Sequence, residues 1–441
     1  MTLDNEEIQP RQVAVPARRT LLTRAAAGLV IGAGAMAAGA VAAPAPAEAD
    51  SSDLTVTGDL TVTGTPPVTT GWRVIPPSGD TTGGTDGQAI ETALNASLAV
   101  QLTIGNYYVS APLEYPEYAV LRGCGRGVVD STKQTVITAT AAMDAVICSQ
   151  GWDENTNTEV PGGVRMSGFM INGAGLATHG IVCQNEDSEF DGIGVTDVSG
   201  DCIRFDACNN GSTTALAGSA VNCRVSRCSL QKCGRGVATN EAASGSSVFT
   251  DGFITDCIID GVTGTTGTAG TAGIAVMRSA GWKIHGNHLY GCSQHGIQVG
   301  QMYMTRITDN YVEPWGSSAT AGTYRGIDGY TYPTSDEGTG SVISGNTLYM
   351  YTAPRNSGSS IEGITLAVDS GNTASWAVTG NLLRYAPPAP TGGPHAYAIV
   401  WYCTGTGKII ATSTGNNPTG NWTTTVVQIP NSGTITLNAG V

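Results

Sequence analysis

Apolar and polar positions repeat in one register from about residue 165 to the C-terminal region of the chain. Each copy contains a short alternating stretch, a tight turn, a second alternating stretch and, in most copies, a Gly-Ile pair. The copies recur about every 23 to 36 residues, and the segments between them lack helical periodicity. Strand-type alternation in a repeat of this length predicts a solenoid of stacked rungs, in which one rung is one full turn of the chain.

One inward-facing position directly follows the first turn of every copy. Because a rung cannot bury its inner face alone, successive rungs should stack about 4.8 Å apart and share one core. Midway along the chain this position changes from apolar residues and Cys to Asn, which predicts a ladder of side-chain amides bonded from rung to rung. The residues at this position are Phe169, Ile193, Cys228, Cys257, Asn287, Asn310, Asn346, Asn381 and Asn416.

A solenoid needs a cover over the core at its end, and residues 85–100 are predicted to supply one. Apolar residues recur there at helical spacing through Ile90, Leu94 and Leu98. Thr85 and Gln88 have the spacing of a capping box at the start of that helix.

The first 49 residues have the order of an export signal. Arg18-Arg19 is followed by an Ala/Gly-rich apolar run and then by Ala47-Glu48-Ala49, a pattern typical of the twin-arginine route. A transmembrane anchor is the alternative for this run, although Arg24 interrupts it. We therefore predict an export signal at 1–49, a linker with a Thr/Val repeat at 50–71, a β-helix domain at 72–441, and a secreted, extracellular protein.

Charge and cysteine content narrow the classes of partner. The net charge of −14 disfavours binding to nucleic acid or to an anionic membrane. Eleven cysteines without a CxxC pair disfavour a zinc site, and buried thiols are the favoured interpretation. His285 and His288 form an HxxH pair without a third ligand nearby, so no metal site is predicted.

Three segments resemble the start of a known superfamily. They are the Gly-Asp…Thr-Asp-Gly-x-Ala-Ile order from Gly79, Gly-Asn-Tyr-Tyr-Val from Gly105, and Val-Leu-Arg-Gly-Cys-Gly from Val120. Together with the later rungs they resemble right-handed parallel β-helix proteins of the pectate-lyase-like superfamily over residues 72–425. The resemblance implies an all-β, single-stranded right-handed parallel β-helix of about ten rungs with an N-terminal capping helix. The superfamily includes polysaccharide lyases, glycoside hydrolases, fructan-cleaving transferases, esterases and tailspikes.

The His-Gly-Ile segment at 295–297 resembles the histidine motif of polygalacturonases, a family with this fold, but the match is incomplete. Gly200 stands where that family has the first Asp of a pair, and Asp201 lies three rungs from His295. The residue before Gly-Ile is a corner position in every rung, and Gly296 is predicted to meet a need for a permissive backbone there.

Three consecutive rungs place charged residues on one face, and this cluster is the favoured catalytic site. We expect Asp328 and Glu362 roughly 5–8 Å apart, a spacing suited to cleavage of a glycosidic bond by paired carboxylates. Arg325 is expected to keep the nucleophile ionised, while Glu362 keeps its proton as the general acid. A solvated charged face without catalytic function is the alternative. The predicted catalytic residues here are His295, Arg325, Asp328 and Glu362, with Gln298 and Tyr330 as substrate-binding residues.

A second polar patch lies nearer the N-terminus. Arginines beside carboxylates can bind a uronate, or a Ca²⁺ ion that bridges to one, and an Arg can act as the base of a β-elimination. A surface ion-pair network of little energetic value is the alternative. The patch comprises Asp201 as a further catalytic candidate, Arg204, Asp206 and Arg235 as substrate-binding candidates, and Glu241. Tyr330, Trp315, Trp401 and Tyr397 are candidates for stacking on sugar rings, and Trp401 is also predicted as a substrate-binding residue. The alternative is that these aromatic residues fill gaps in the loops.

These observations predict an enzyme that cleaves a linear polysaccharide by hydrolysis or by intramolecular glycosyl transfer. A polysaccharide lyase, with Ca²⁺ as its one expected cofactor, and a non-catalytic adhesive β-helix are the alternatives. The Thr/Val repeat at 53–64 is of the kind seen at trimeric stalks and makes a homotrimer the candidate assembly.

Overall fold

The computed structural model describes residues 71–126, 132–240, 249–263, 271–277, 279–331, 338–390 and 392–438. The predicted export signal, nearly all of the predicted linker and Glu241 lie outside the described residues. In the described part of the chain, no helix has the length and apolar character needed to cross a membrane.

Among the described residues, three long parallel sheets of 13, 11 and 11 strands form the body of the protein. We name them sheets A, B and C, and the chain visits them in that order once per rung. Sheet A contains Arg73–Ile75, Ala99–Leu102, Val120–Arg122, Arg165–Ser167, Glu189–Asp191, Arg224–Ser226, Phe253–Thr255, Lys283–His285, Arg306–Thr308, Gly338–Ser344, Thr373–Thr379, Lys408–Thr414 and Thr434–Asn438. Sheet B contains Gly105–Val109, Thr135–Ala139, Met170–Asn172, Gly194–Thr196, Ser229–Cys233, Ile258–Val262, His288–Cys292, Tyr311–Trp315, Thr347–Met350, Leu382–Tyr385 and Asn417–Gly420. Sheet C contains Leu113–Tyr115, Met143–Ser149, Ala177–Cys183, Asp201–Asp206, Arg235–Asn240, Ala272–Val276, His295–Gly300, Thr323–Tyr330, Ser360–Val368, Ala396–Cys403 and Thr424–Ile429.

The architecture confirms the predicted parallel β-helix. Side chains that point inward from all three sheets form one continuous apolar core along the solenoid. The described strands extend to Asn438, beyond residue 425 where the superfamily resemblance ends, and a small sheet of three short strands accompanies the middle rungs. These strands are Ala220–Val221, Phe249–Thr250 and Ser279–Ala280.

One helix, Gly84–Ser97, packs against the first strands of all three sheets, at the end where a cap was expected. It ends earlier than predicted because the chain enters strand Ala99–Leu102 directly. The predicted capping box is wrong. The N-cap residue is Gly83, and Thr85 donates its hydroxyl to Asp80 Oδ2 at 2.8 Å, since the preceding loop brings that carboxylate over the first turn.

The predicted amide ladder is confirmed. Asn310 Nδ2 donates to Asn346 Oδ1 and to the carbonyl of Ile284, both at 2.9 Å, and the Asn310 N–H donates to the same Asn346 oxygen at 3.0 Å. The pattern repeats on each following rung to Asn416. Every donor of these buried amides therefore has a partner in the core. The fully buried members are Asn287, Asn310, Asn346 and Asn381.

The cysteines continue the same column toward the N-terminus. Cys228 and Cys257 lie on successive rungs, because the residues that follow them, Ser229 and Ile258, are paired. Both thiols are buried, and the Cys257 N–H donates to the first amide of the ladder, Asn287 Oδ1, at 3.0 Å. All eleven cysteines are free and only that at 124 is exposed, which confirms the interpretation of buried thiols for the other ten.

A left-handed backbone conformation precedes the ladder position on nine rungs. The φ angles lie between 52° and 68°, in the region that favours glycine. At Gly345 a Cβ would lie 2.3 Å from Asp309 Oδ1 of the preceding rung, so a larger residue there would adopt a strained conformation and displace that exposed carboxylate. The nine residues are Gly168, Gly192, Arg227, Asp256, Gly286, Asp309, Gly345, Gly380 and Gly415.

The glycine of the Gly-Ile pairs serves a different purpose from the one expected. Gly296 is not among the left-handed glycines, so the predicted need for a permissive backbone is wrong at this corner. A Cβ at Gly296 would lie 2.5 Å from the carbonyl oxygen of Gly326, and one at Gly363 would lie 2.5 Å from that of Ala398. Glycine is required here because adjacent rungs approach too closely for a side chain.

Candidate functional site

The strand register brings the three-rung cluster together as predicted. On sheet C, Gln298 pairs with Asp328, and Asp328 pairs with Thr365. Three residues earlier along the strands, Arg325 pairs with Glu362. The charged side chains therefore lie on one outer face of three successive rungs.

An open cleft of about 540 Å³ lies over this face. Arg325 is the only cationic side chain among the described residues that line it, whereas three carboxylates line it, those of Asp328, Glu362 and Asp369. The cleft is therefore acidic in composition. The other lining residues are Gln298, Tyr330, Thr365, Ala367, Val400, Tyr402 and Ile429.

Arg325 holds both central carboxylates. Its Nε donates to Glu362 Oε2 at 2.8 Å, and its Nη1 lies 3.5 Å from Asp328 Oδ2. One guanidinium contacts both groups, Glu362 through Nε and Asp328 through Nη1, so it lies between the two carboxylates. The shorter and better bond goes to Glu362.

Glu362 is a buried carboxylate with three side-chain donors, and it is only 6% exposed. Besides Arg325, Thr365 Oγ1 donates to Oε2 at 2.5 Å, and His395 Nε2 lies 3.1 Å from Oε1. Burial by itself opposes ionisation, but the charge of Arg325 and these hydrogen bonds outweigh it, so the pKa of Glu362 lies below its ordinary value. The expectation that Glu362 keeps its proton is therefore opposed by its environment.

Asp328 is 3% exposed and more weakly held. Gln298 Nε2 donates to Asp328 Oδ2 at 2.9 Å. The other amide atom, Gln298 Oε1, is buried and has no hydrogen-bond partner among the described residues. A 180° rotation of the amide would present this oxygen to Asp328, where a protonated carboxyl group could donate to it. The Gln298 amide can thus serve either protonation state of Asp328.

His295 contacts the backbone of the cluster. Its Nδ1 accepts a hydrogen bond from the Arg325 N–H at 3.0 Å, which leaves the proton of the neutral ring on Nε2. Burial lowers the pKa of His295, although Asp328 and Glu362 act in the opposite direction. A neutral imidazole that holds the strand carrying Arg325 is the role this geometry supports.

Three residues of the site were missed by the sequence reasoning: His395, Asp369 and Tyr402. His395 stacks on Tyr397 with ring centroids 3.9 Å apart, and this stacking directs Nε2 toward Glu362. A signal was present, because a histidine stands directly before the Ala-Tyr-Ala-Ile segment of the rung that follows Glu362. Asp369 and Tyr402 lie where two neighbouring strands end, beyond the repeating pattern.

The prediction that Trp401 binds substrate is wrong. The side chain is 0% exposed and lies in the core, because Trp401 follows the inward-facing Ile399 by two positions on an alternating strand. Trp315 is buried in the same core. Tyr330 does line the cleft, so of these aromatic candidates it is the one placed to meet a ligand there.

The second patch is a buried ion network and not an open site. Arg235 donates to Asp201 through Nε at 2.5 Å and Nη2 at 2.9 Å, and Arg204 Nε bonds Asp206 at 2.8 Å. Asp201 is 0% exposed, and the charge of Arg235 outweighs the effect of burial, so its pKa is lowered. Asp201 and Asp206 are 0% and 1% exposed, so the structure disfavours a catalytic or substrate-binding role for either carboxylate. Arg235 is committed to Asp201 through two nitrogens, and Arg204 is partly exposed. His179 joins this network by accepting the Asp201 N–H at 3.0 Å.

The HxxH pair is split between two sheets. His285 lies at the end of a sheet A strand and His288 at the start of a sheet B strand, with the left-handed corner between them. In the described ranges no three His, Cys, Asp or Glu side chains are placed to hold a metal ion.

Solved structures of other proteins share this fold, whereas no known protein family and no curated protein matches the sequence. PfbA, a surface adhesin of Streptococcus pneumoniae, aligns with a TM-score of 0.50 and 13% identity, over 81% of this chain and 89% of that one. The Dettilon tailspike protein aligns with a TM-score of 0.49 and 16% identity, over 80% and 68%. DFA-IIIase from Arthrobacter chlorophenolicus A6 aligns with a TM-score of 0.47 and 12% identity, over 82% and 93%. At such identities the similarity is one of fold.

Proposed function

We propose that this protein binds a linear glycan in the cleft on sheet C and cleaves a glycosidic bond with Glu362 and Asp328. One observation carries the proposal: two nearly buried carboxylates on successive rungs share the guanidinium of Arg325 beneath an open cleft. Paired carboxylates on either side of a scissile bond are the machinery of most glycoside hydrolases.

The environments of the two carboxylates support a division of roles opposite to that expected from the sequence. Glu362, whose pKa is lowered, suits the group that attacks the anomeric carbon or activates water. Asp328 suits the proton donor to the leaving oxygen, because Gln298 can accept a hydrogen bond from its protonated form and donate one to its ionised form.

The charges in the cleft favour a neutral glycan over a polyuronate. A β-elimination needs a cation to neutralise the substrate carboxylate and a base to remove the proton. Arg325, the one cationic lining side chain among the described residues, is already paired with two carboxylates. Hydrolysis or intramolecular transfer is therefore preferred to a lyase reaction. The extracellular location expected from the N-terminal segment would bring the cleft to such a polymer.

Glycan binding without turnover is the second candidate. The observation that favours it is the same guanidinium. Arg325 is paired with both carboxylates, which favours their ionised forms and leaves the cleft without an assigned proton donor. In that case the cleft would recognise hydroxyl groups through Glu362, Asp328 and Gln298 and release the polymer unchanged.

The decisive experiment is a screen of inulin, levan, dextran, arabinan, pectate and alginate with the wild-type protein, Glu362→Gln and Asp328→Asn. We expect turnover of at least one neutral glycan and a loss of about 10²–10⁴-fold in each variant. Asp309→Asn, at an exposed carboxylate on the sheet A–B corner, is the matched control and should retain full activity. New reducing ends mark hydrolysis, non-reducing products mark transfer, and ultraviolet-absorbing products mark elimination.

Near-wild-type turnover in both variants, with their unfolding temperatures unchanged, would place the chemistry elsewhere. Binding of a glycan with no product from the wild-type protein would instead support the adhesive function.

A further inference from the structure

An aromatic stripe runs along the outer face of sheet B, apart from the cleft on sheet C. It spans four successive rungs, on the strands that begin at His288, Tyr311, Thr347 and Leu382. Five rings and one guanidinium form this aromatic stripe: His288, Tyr290, Tyr311, Tyr349, Tyr351 and Arg384.

The rings of the stripe contact one another within and between rungs. His288 and Tyr311 are stacked across adjacent strands, with centroids 4.9 Å apart and planes inclined by 14°. On the next rung Tyr349 packs against Tyr351 at 5.4 Å with tilted planes, and the guanidinium of Arg384, one rung further, lies 5.0 Å from the Tyr349 centroid. These contacts restrict the rings to one arrangement.

Hydrogen bonds hold the same rings by their polar edges. Glu313, between the rings, accepts from the Tyr311 hydroxyl, and its other oxygen lies 3.3 Å from His288 Nε2. The interaction with the Tyr290 side chain raises the pKa of Tyr351 to about 12. The stripe is thus a preformed surface in which the polar groups lie beside the ring faces.

Packing of the solenoid does not account for these rings. The core face of the same strands consists of Leu289, Val312, Leu348 and Leu383, all fully buried. The stripe residues point away from that core, and Tyr290 and Tyr351 are 44% and 37% exposed. Large rings held in place but open to solvent indicate a surface prepared for a ligand.

We propose that the aromatic stripe is a second glycan-binding site, which holds a neutral polysaccharide chain along the solenoid axis. Sugar rings present C–H groups to the negative faces of aromatic rings and hydroxyl groups to neighbouring carboxylates and guanidinium groups. The stripe supplies exposed ring surface from Tyr290 and Tyr351, with Tyr349 packed beside Tyr351, and polar groups from Glu313 and Arg384. The ligand class rests on the proposed function, because the stripe would keep the polymer near the cleft and raise its effective concentration.

A second copy of the chain fits the stripe less well than a neutral sugar. The stripe comprises six side chains and Glu313, whereas a stable protein interface uses about 20–30 residues on each side. The net charge of −14 also opposes self-association and the binding of polyanions, but it does not oppose an uncharged polymer.

The test is native gel electrophoresis through gels that contain dextran, inulin, levan or arabinan, with pectate as the anionic comparison. The full chain is compared with Tyr290→Ala/Tyr349→Ala and with Tyr303→Ala, a control tyrosine that is 38% exposed outside the stripe. We expect at least one neutral glycan to retard the wild type and the control, and the double variant to bind about tenfold more weakly. Turnover of short soluble oligosaccharides should stay within about twofold of wild type in the double variant.

Glu362→Gln should be retarded like the wild type, so retardation can be measured whether or not the cleft is catalytic. Should the double variant unfold, Tyr351→Ala at the exposed rim is expected to weaken binding by about threefold or more.

The proposal is overturned if no neutral glycan retards the wild type, or if the stripe variants are retarded as strongly as the wild type. It is also overturned if the double variant dissociates an oligomer in light scattering, which would assign the stripe to a second copy.

Discussion

Arg325 Nε donates to Glu362 Oε2 at 2.8 Å across one rung of sheet C, and the same guanidinium reaches Asp328 from its other side. The pairing of the two strands places Arg325 directly opposite Glu362, so the fold itself puts the guanidinium beside the proposed catalytic carboxylate. The charge state of the cleft, and therefore its pH dependence, follows from the contact.

Replacement of Arg325 by Gln should move the acidic limb of the activity profile to higher pH. Glu362 must be ionised in its proposed role, and the lost positive charge raises its pKa, so the carboxylate takes up a proton at a higher pH. The measurement is kcat/KM as a function of pH. Arg306→Gln, at an exposed position on sheet A, is the control and should leave the limb unchanged. An unchanged limb in Arg325→Gln would show that Glu362 does not control the rate.

The contribution of His179 to the stability of the protein should fall between about pH 6.5 and pH 4.5. Burial lowers its pKa to about 4, although Asp201 acts in the opposite direction. Below the ordinary pKa of about 6.5 the unfolded chain therefore binds more protons than the folded one. This group contributes stability that is fully present above pH 6.5 and is lost, by roughly 2–3 kcal/mol, as the pH falls toward 4.5.

Urea unfolding of the wild type and His179→Gln at pH 7 and pH 4.5 tests this, and the difference between the two proteins is the quantity to compare. The difference is needed because Glu114, whose pKa is raised to about 7 chiefly by burial, changes stability in the opposite direction. The lowered pKa of Asp201 acts only at still lower pH. Equal pH dependence in both proteins would contradict the prediction.

Asn310→Leu should destabilise the solenoid by roughly 1–3 kcal/mol. The substitution removes the side-chain donor to the Ile284 carbonyl and the acceptor of the Asn287 N–H and Nδ2, all within the core. Asn416→Leu is the matched control and should cost less, because Asn416 is only partly buried and bonds one neighbouring amide, Asn381. Chemical unfolding of both variants decides the matter, and equal costs would argue against a role for the continuous ladder.

Gly345→Ala should cost at least about 1–2 kcal/mol, whereas Asp309→Gly at the equivalent corner should change stability by less than about 0.5 kcal/mol. Both positions have left-handed backbone, at φ 68° and 57°. Alanine at 345 adds a Cβ in that conformation, 2.3 Å from Asp309 Oδ1, whereas glycine at 309 removes a Cβ from the same conformation. Thermal unfolding of the two variants provides the measurement. A harmless alanine at 345 would show that the corner can relax between rungs.

The sequence repeat by itself determines much of the fold. The amide of Asn310 could be assigned to a buried ladder because strand alternation has a period of two, and because rungs of similar sequence stack in register. The same reasoning placed Arg325, Asp328 and Glu362 on one face of successive rungs. These are local properties that repeat along the chain.

The tertiary structure decided what depends on groups distant in sequence. Glu362 loses its expected proton because Arg325, Thr365 and His395 converge on it, and the sign of its pKa shift is the balance of burial against those donors. Asp201, like Glu362, lies on a sheet C strand with arginines nearby in the sequence pattern. It is nevertheless fully buried in an ion network and does not line a cleft. A periodic pattern states which face a side chain occupies. Its exposure and charge depend on what the rest of the chain places against that face.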